Sequence, residues 1–187
     1  MLQILLVRHG KPVFDDWTPV AGLAFATWVH GYDETPIDVT IPPPANLRAQ
    51  ASAIGCIATS SLRRARESAA LLAAGRTFVC EPLFAEAGIS SSIHLAFVLA
   101  PRLWTFLSRV AWCCGWSHGV ESLREARRRA HRAAERPVEF ASEHGSVMLV
   151  GHGVMNTLIS RALRRSGWRG SASGSAFWSV GAFQRAA

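Results

Sequence analysis

Leu2-Gln3-Ile4-Leu5-Leu6-Val7-Arg8-His9-Gly10 lies near the start of the chain, and Val147-Met148-Leu149-Val150-Gly151-His152-Gly153 repeats its pattern much later. Each is a short apolar run that ends Leu-Val-x-His-Gly. Such a run reads as a strand buried on both faces, the habit of parallel sheets covered by helices. Each strand delivers a histidine to its carboxyl end, where a glycine lets the backbone turn sharply. A third strand, Cys56-Ile57-Ala58-Thr59, passes through Ser60-Ser61 to a helix with Arg63 and Arg64 in its first turn. If these strands are neighbours, two imidazoles and several guanidiniums converge. The helix N-termini after Ser61 and Gly153 then add backbone N–H groups and positive dipole ends. That combination suits a dianionic phosphoryl group.

Reading outward, helices alternate with strands. Pro42-Pro43-Pro44 opens a helix from Ala45 to about Ile54, stopped by Gly55. Ser60 or Ser61 is expected to cap a helix over Leu62–Ala74, ended by Gly75. Strands are expected at Thr77–Cys80 and over the tail Ala176–Phe183, and a helix over Val154 to about Arg165. Pro101 to Cys114 reads as a buried or half-buried helix. Glu121 to Arg136, with arginines at 124, 127, 128, 129, 132 and 136, reads as a solvated helix on a thin alanine stripe. The segment from Lys11 to Pro44 is irregular and rich in Trp, Gly, Asp and Pro, and its length marks a functional loop or short excursion rather than a simple turn. The expected fold is α/β: a three-layer domain with a mainly parallel central sheet flanked by helices. Residues 1–187 form a single domain in this reading, with loop 11–44 and segment 90–120 as lid or substrate-selecting insertions.

The 187 residues suit one domain. Hydrophobic residues make up 49% and charged residues 18%, which excludes disorder as the general state. Lys and Arg total 20 against 13 Asp and Glu, a net charge of +7, and Lys11 is the only lysine. An arginine surplus leans toward anionic partners, or reflects codon bias. The four cysteines, Cys56, Cys80, Cys113 and Cys114, form no C-x-x-C pair, and the run Leu2–Val7 is too short for a secretory leader. Both features point to a reducing cytoplasm. Cys113-Cys114 with His118 is a poor zinc pattern, so no metal and no cofactor are expected. The apolar stretch Ile93–Trp116 is broken by His94, Pro101, Arg102 and Arg109, so it is not expected to span a membrane. Nucleic acid is not the expected partner, because no aromatic side chains interleave with the arginines of 124–136 as stacking platforms.

Three stretches together resemble the histidine phosphatase superfamily, which includes the cofactor-dependent phosphoglycerate mutases: Arg8-His9-Gly10, Ser60-Ser61-Leu62-Arg63-Arg64-Ala65-Arg66-Glu67-Ser68-Ala69, and Gly151-His152-Gly153. The resemblance implies a phosphoglycerate mutase-like fold and a metal-independent phosphatase of the small phosphatase branch. His9 would carry the phosphoryl group as a phosphohistidine. Arg8, Arg64, His152 and Gly153 would bind its oxygens, and Glu86 would donate the proton, with Glu81 as the fallback. The substrate would be a phosphorylated small molecule or a phosphoprotein, including one that bears phosphohistidine. The alternatives are a catalytically weak phosphate-binding or regulatory module of the same fold, and a phosphoglycerate mutase-type transferase, which the short chain disfavours. Many family members carry Thr or Ser after Arg-His-Gly. Here Lys11-Pro12-Val13-Phe14 follow, and Lys11 either adds a phosphate contact or is solvated.

Overall fold

A computed structural model describes residues 1–93 and 95–186. In chain order, β1 (Leu2–Arg8) is followed by the two-residue strand β2 (Val20–Ala21) and helix α1 (Gly22–Asp33). Next come α2 (Ala45–Ala53), β3 (Cys56–Ser60), α3 (Arg63–Ala73), β4 (Val79–Glu81), a 3-10 turn at Pro82–Phe84, and β5 (Val98–Leu99). The remainder comprises α4 (Pro101–Cys113), α5 (Leu123–His144), β6 (Ser146–Gly151), α6 (Gly153–Arg165), β7 (Arg169–Gly170) and β8 (Val180–Arg185).

The main sheet has the order β4-β3-β6-β1-β8-β7. β4, β3, β6 and β1 run parallel, and β8 and β7 add an antiparallel edge. Side chains alternate across the sheet, as the pleat requires. Ile4, Leu6, Val147 and Leu149 enter one core with Ala130, Phe140, Ile159 and Leu163 of α5 and α6. Leu5, Val7, Met148 and Val150 enter the other, with Leu47 and Ala51 of α2 and Leu72 of α3. Each fully buried aliphatic side chain here contributes about 1.5–3 kcal/mol of hydrophobic stabilisation. The continuous apolar runs of β1 and β6 therefore follow from burial on both faces, giving three layers.

Several elements differ from the sequence reading. Loop 11–44 contains a twelve-residue helix, α1. Its Phe25, Trp28 and Val29 pack with Trp104 of α4 in a third cluster, and β2 pairs with β5. The aromatic richness that reads as irregular thus builds a small core shared by the two insertions. α5 does not stop before Pro137. It runs on to His144, because Phe140 and Ala141 bury beyond the proline and offset its lost i→i−4 bond. A capping box starts it, Ser122 accepting from the Glu125 N–H while the Glu125 carboxylate accepts from the Ser122 N–H at 2.7 Å. α4 is half-buried: Trp104, Ser108 and Trp112 face inward, while Leu103, Phe106, Leu107 and Val110 are exposed. The expected capping of α3 by Ser60 or Ser61 is replaced by Leu62 at the N-cap position, with no side-chain cap. The fourth strand begins at Val79 rather than Thr77, and the tail strand occupies Val180–Arg185 rather than Ala176–Phe183. Trp178 holds a left-handed turn (φ 61°) before that strand. Among the described residues no helix is long and apolar enough to cross a membrane.

Candidate active site

The parallel ladder between β1 and β6 pairs Arg8 with Gly151, and the His9 N–H donates to the Gly151 carbonyl at 3.0 Å. The residues that follow, His9 and His152, are therefore set side by side. Their ring centroids are 5.1 Å apart and tilted by 59°. His9 is 2% exposed and His152 is wholly buried. His9 Nδ1 lies 2.7 Å from the Gly10 carbonyl oxygen, which can only accept. Nδ1 therefore carries the proton, and the lone pair stands on Nε2. The Gly10 N–H donates to Ser68 Oγ at 2.9 Å, and that hydroxyl donates to the Arg64 carbonyl at 2.6 Å. Strand end and helix start are thereby bolted together.

His152 Nε2 is 2.7 Å from Ser60 Oγ, which also accepts the Leu62 N–H at 3.2 Å. With Ser60 donating to Nε2, the neutral ring keeps its proton on Nδ1, a buried atom with no partner among the described residues. Arg8 Nε and Arg64 Nε are buried without partners as well. The Arg8 and Arg64 donors belong to residues that line one cavity with His9, where they can meet an oxyanion, whereas His152 touches the His9 ring and does not itself line that cavity. Arg8 stacks on Phe177 at 4.7 Å and donates to the Ser175 carbonyl. Arg64 sits over the Tyr32 ring at 5.0 Å and pairs with Asp33 at 3.1 Å.

Burial, then the guanidiniums of Arg64 and Arg8, push the His9 pKa down to about 3 against the pull of its bond to Gly10. Burial and the same arginines hold His152 well below the usual imidazole range. Both rings are neutral at ordinary pH.

Glu86 lies where the chain leaves the 3-10 turn. Its carboxylate sits on the N-terminus of α6, accepting from Met155 N at 2.9 Å, Val154 N at 3.1 Å and Ala87 N at 3.0 Å. A helix N-terminus favours an anion there. Glu86, Arg8, His9, Arg64 and Gly153 line one cavity of about 620 Å³, which continues upward between α1 and α4. Its outer wall includes Trp17, Trp28, Tyr32, Ile89 and Arg102. Glu81 is elsewhere: it pairs with Arg136 at 2.7 Å and does not line the cavity. Lys11 is exposed and outside it too. All four cysteines are free, and no group of three or more His, Cys, Asp and Glu among the described residues is placed to hold a metal ion.

Sequence reasoning missed Asp33, Ser68, Phe177 and Asn156, whose amide donates to the Val7 carbonyl at 3.1 Å. Ser68 was within reach, one helical turn after Arg64. Phe177 reads in the sequence only as part of a strand.

Residues 45–173 match the model of the histidine phosphatase superfamily (branch 1), more than half of the chain. The chain belongs to that superfamily. Arg8-His9-Gly10 precedes the matched stretch, and the geometry above ties it to the rest. No curated protein matches the chain significantly. Among solved structures, the chain is similar to a mycobacterial glucosyl-3-phosphoglycerate phosphatase at 21% identity and TM-score 0.59, over 88% of this chain and 80% of that one. It is also similar to the product of an open reading frame from Mycobacterium tuberculosis, at 22% identity and TM-score 0.61, over 100% and 96% of the two chains. A Thermus thermophilus protein aligns at 22% identity and TM-score 0.57, over 97% and 92%. These likenesses establish the phosphoglycerate mutase-like α/β fold.

Proposed function

We propose that this protein is a metal-independent phosphatase that hydrolyses a phosphomonoester through a phosphohistidine on His9. One observation carries the reading: the neutral His9 ring shares one cavity with the guanidiniums of Arg8 and Arg64, whose Nε atoms are buried without partners.

In the first step Nε2 of His9 attacks phosphorus, the N–P bond forms, and the bond from phosphorus to the alcohol oxygen breaks. Glu86 in its protonated form gives the leaving oxygen a proton. Arg8, Arg64, His152 and the Gly153 N–H neutralise the equatorial oxygens, the main demand of phosphoryl transfer. In the second step water attacks phosphorus, Glu86 takes its proton, the N–P bond breaks and inorganic phosphate leaves.

Of the two substrate classes, the cavity favours a phosphorylated small molecule over a phosphoprotein. Its 620 Å³ lies between α1 and α4, within the usual size of small-molecule sites. Part of the wall is aromatic, which suits an alcohol with an apolar portion. The weak-module alternative predicts vanadate binding without turnover. A panel of small phosphomonoesters together with a phosphohistidine-bearing protein tests the reading. Hydrolysis of at least one small ester, lost in His9→Ala, is expected; hydrolysis that survives His9→Ala contradicts it.

A further inference from the structure

The C-terminal end of α1 closes on one edge of Arg64. Arg64 Nη1 donates to Asp33 Oδ1 at 3.1 Å and to the Asp33 backbone carbonyl at 3.3 Å. The Tyr32 ring lies 5.0 Å beneath the guanidinium carbon. The Arg64 side chain is 3% exposed, whereas that of Asp33 is 42% exposed and lines the cavity. The residues after Asp33 are fastened to α3 as well: Arg63 Nη1 donates to the Glu34 carbonyl at 3.5 Å, and the Ile37 N–H donates to Glu67 Oε2 at 2.8 Å. Arg63 and Glu67 pair with each other at 2.8 Å. The clamp is therefore held from both sides.

A guanidinium is a rigid planar fork of five N–H donors. Holding it at Nη1, with an aromatic ring under its face, fixes its plane. The Nε edge is then left for an oxyanion, and Nε is the atom found buried and unpartnered. We propose that Asp33 is a positioning residue for phosphoryl transfer, holding Arg64 so that its Nε edge meets the phosphoryl oxygens. This rests on the phosphatase reading above. It also gives the α1 insertion a part in the chemistry besides walling the cavity.

The sign of one effect separates this role from a bystander's. A carboxylate beside an anion site repels the anion. If Asp33 were only that, its removal would tighten anion binding. If it positions Arg64, its removal loosens binding despite the lost repulsion. The test compares wild type, Asp33→Ala and Asp33→Asn for orthovanadate affinity by calorimetry, and for kcat and KM on p-nitrophenyl phosphate. Asparagine keeps the Oδ1 acceptor without the charge. Misorientation of a group touching the transferred phosphoryl can cost about 10²-fold in rate, and a loss of that order in kcat is expected for Asp33→Ala, with weaker vanadate binding. Asp33→Asn is expected to stay within about threefold of wild type, and both variants to melt close to it. Vanadate binding by Asp33→Ala as tight as or tighter than wild type, or equal losses in both variants, overturns the inference. A wild type that binds vanadate without turnover overturns the hydrolytic reading alone, and the affinities still decide on Asp33. A wild type that neither binds vanadate nor turns over removes both.

Discussion

His9 and His152 face each other at 5.1 Å between ring centroids because Arg8 and Gly151 are register partners on adjacent parallel strands. Two imidazoles so close would repel one another if both were charged. Burial and two arginines remove that conflict by keeping both neutral. The consequences can be measured separately.

Stability should fall as the solution is acidified below neutrality. In the unfolded chain both histidines take up protons near pH 6.5; in the native state His9 does so only near pH 3, and His152 also far below 6.5. Above pH 6.5 neither state binds these protons, so their effect on stability vanishes there. Below it, each histidine costs about 1.4 kcal/mol per pH unit until its native pKa is reached. Urea midpoints at pH 7.5 and pH 5.0 report this directly. A midpoint independent of pH over that interval would show that the rings are not held neutral.

Ser60→Ala removes the hydroxyl that meets His152 Nε2 at 2.7 Å. It leaves a buried ring nitrogen unsatisfied, at a cost of about 1–3 kcal/mol. It also frees the imidazole to place its proton on Nε2, which takes the donor on Nδ1 away from the phosphoryl group. The expected outcome is a lowered melting temperature together with weaker vanadate binding. Loss of stability with unchanged vanadate affinity would remove Ser60 from the orientation of His152.

Glu86→Gln separates proton donation from phosphate binding. An alkyl phosphate needs a proton on its departing oxygen, whereas p-nitrophenolate leaves without one. General acid catalysis contributes typically about 10²–10⁴-fold, so the rate of phosphoenzyme formation from an alkyl ester should fall by that order. The same step with p-nitrophenyl phosphate should change far less. Equal losses on both substrates would mean that Glu86 acts as an anchor at the start of α6 and not as an acid.

Gly10→Ala tests how closely the site is packed. A Cβ on residue 10 would run into the indole of Trp178, which is buried in a left-handed conformation behind the site. The indole must move, and the Trp178 N–H bond to the Arg8 carbonyl (3.1 Å) moves with it. Overpacking of this kind costs about 1–3 kcal/mol. Reduced thermal stability with reduced kcat is expected, and wild-type values for both would show that the contact is slack.

The sheet and the two histidine-bearing strand ends were legible in the sequence because burial on both faces writes itself as uninterrupted apolar runs. Arg64 was legible because it occupies the first turn of a helix that follows a strand directly. The contacts of Asp33 and Tyr32 with Arg64 were not. Both residues sit at the end of α1, whose Trp, Gly and His content masks a helix that is stabilised by Trp104 from a distant insertion. Ser60 or Ser61 reads as a helix cap because serine at a strand-to-helix junction usually serves that purpose, yet here Leu62 holds the N-cap position and Ser60 meets the His152 imidazole instead. The arginine-rich run reads as a helix only to Arg136, whereas tertiary burial of Phe140 and Ala141 carries α5 past Pro137 to His144.

The most direct measurement is acid-free rapid quenching of the protein with ³²P-labelled phosphoester, followed by peptide mapping. Label on His9, stable in alkali, labile in acid and absent from His9→Ala, is the predicted result. Turnover without any labelled histidine, or label retained in His9→Ala, would contradict it.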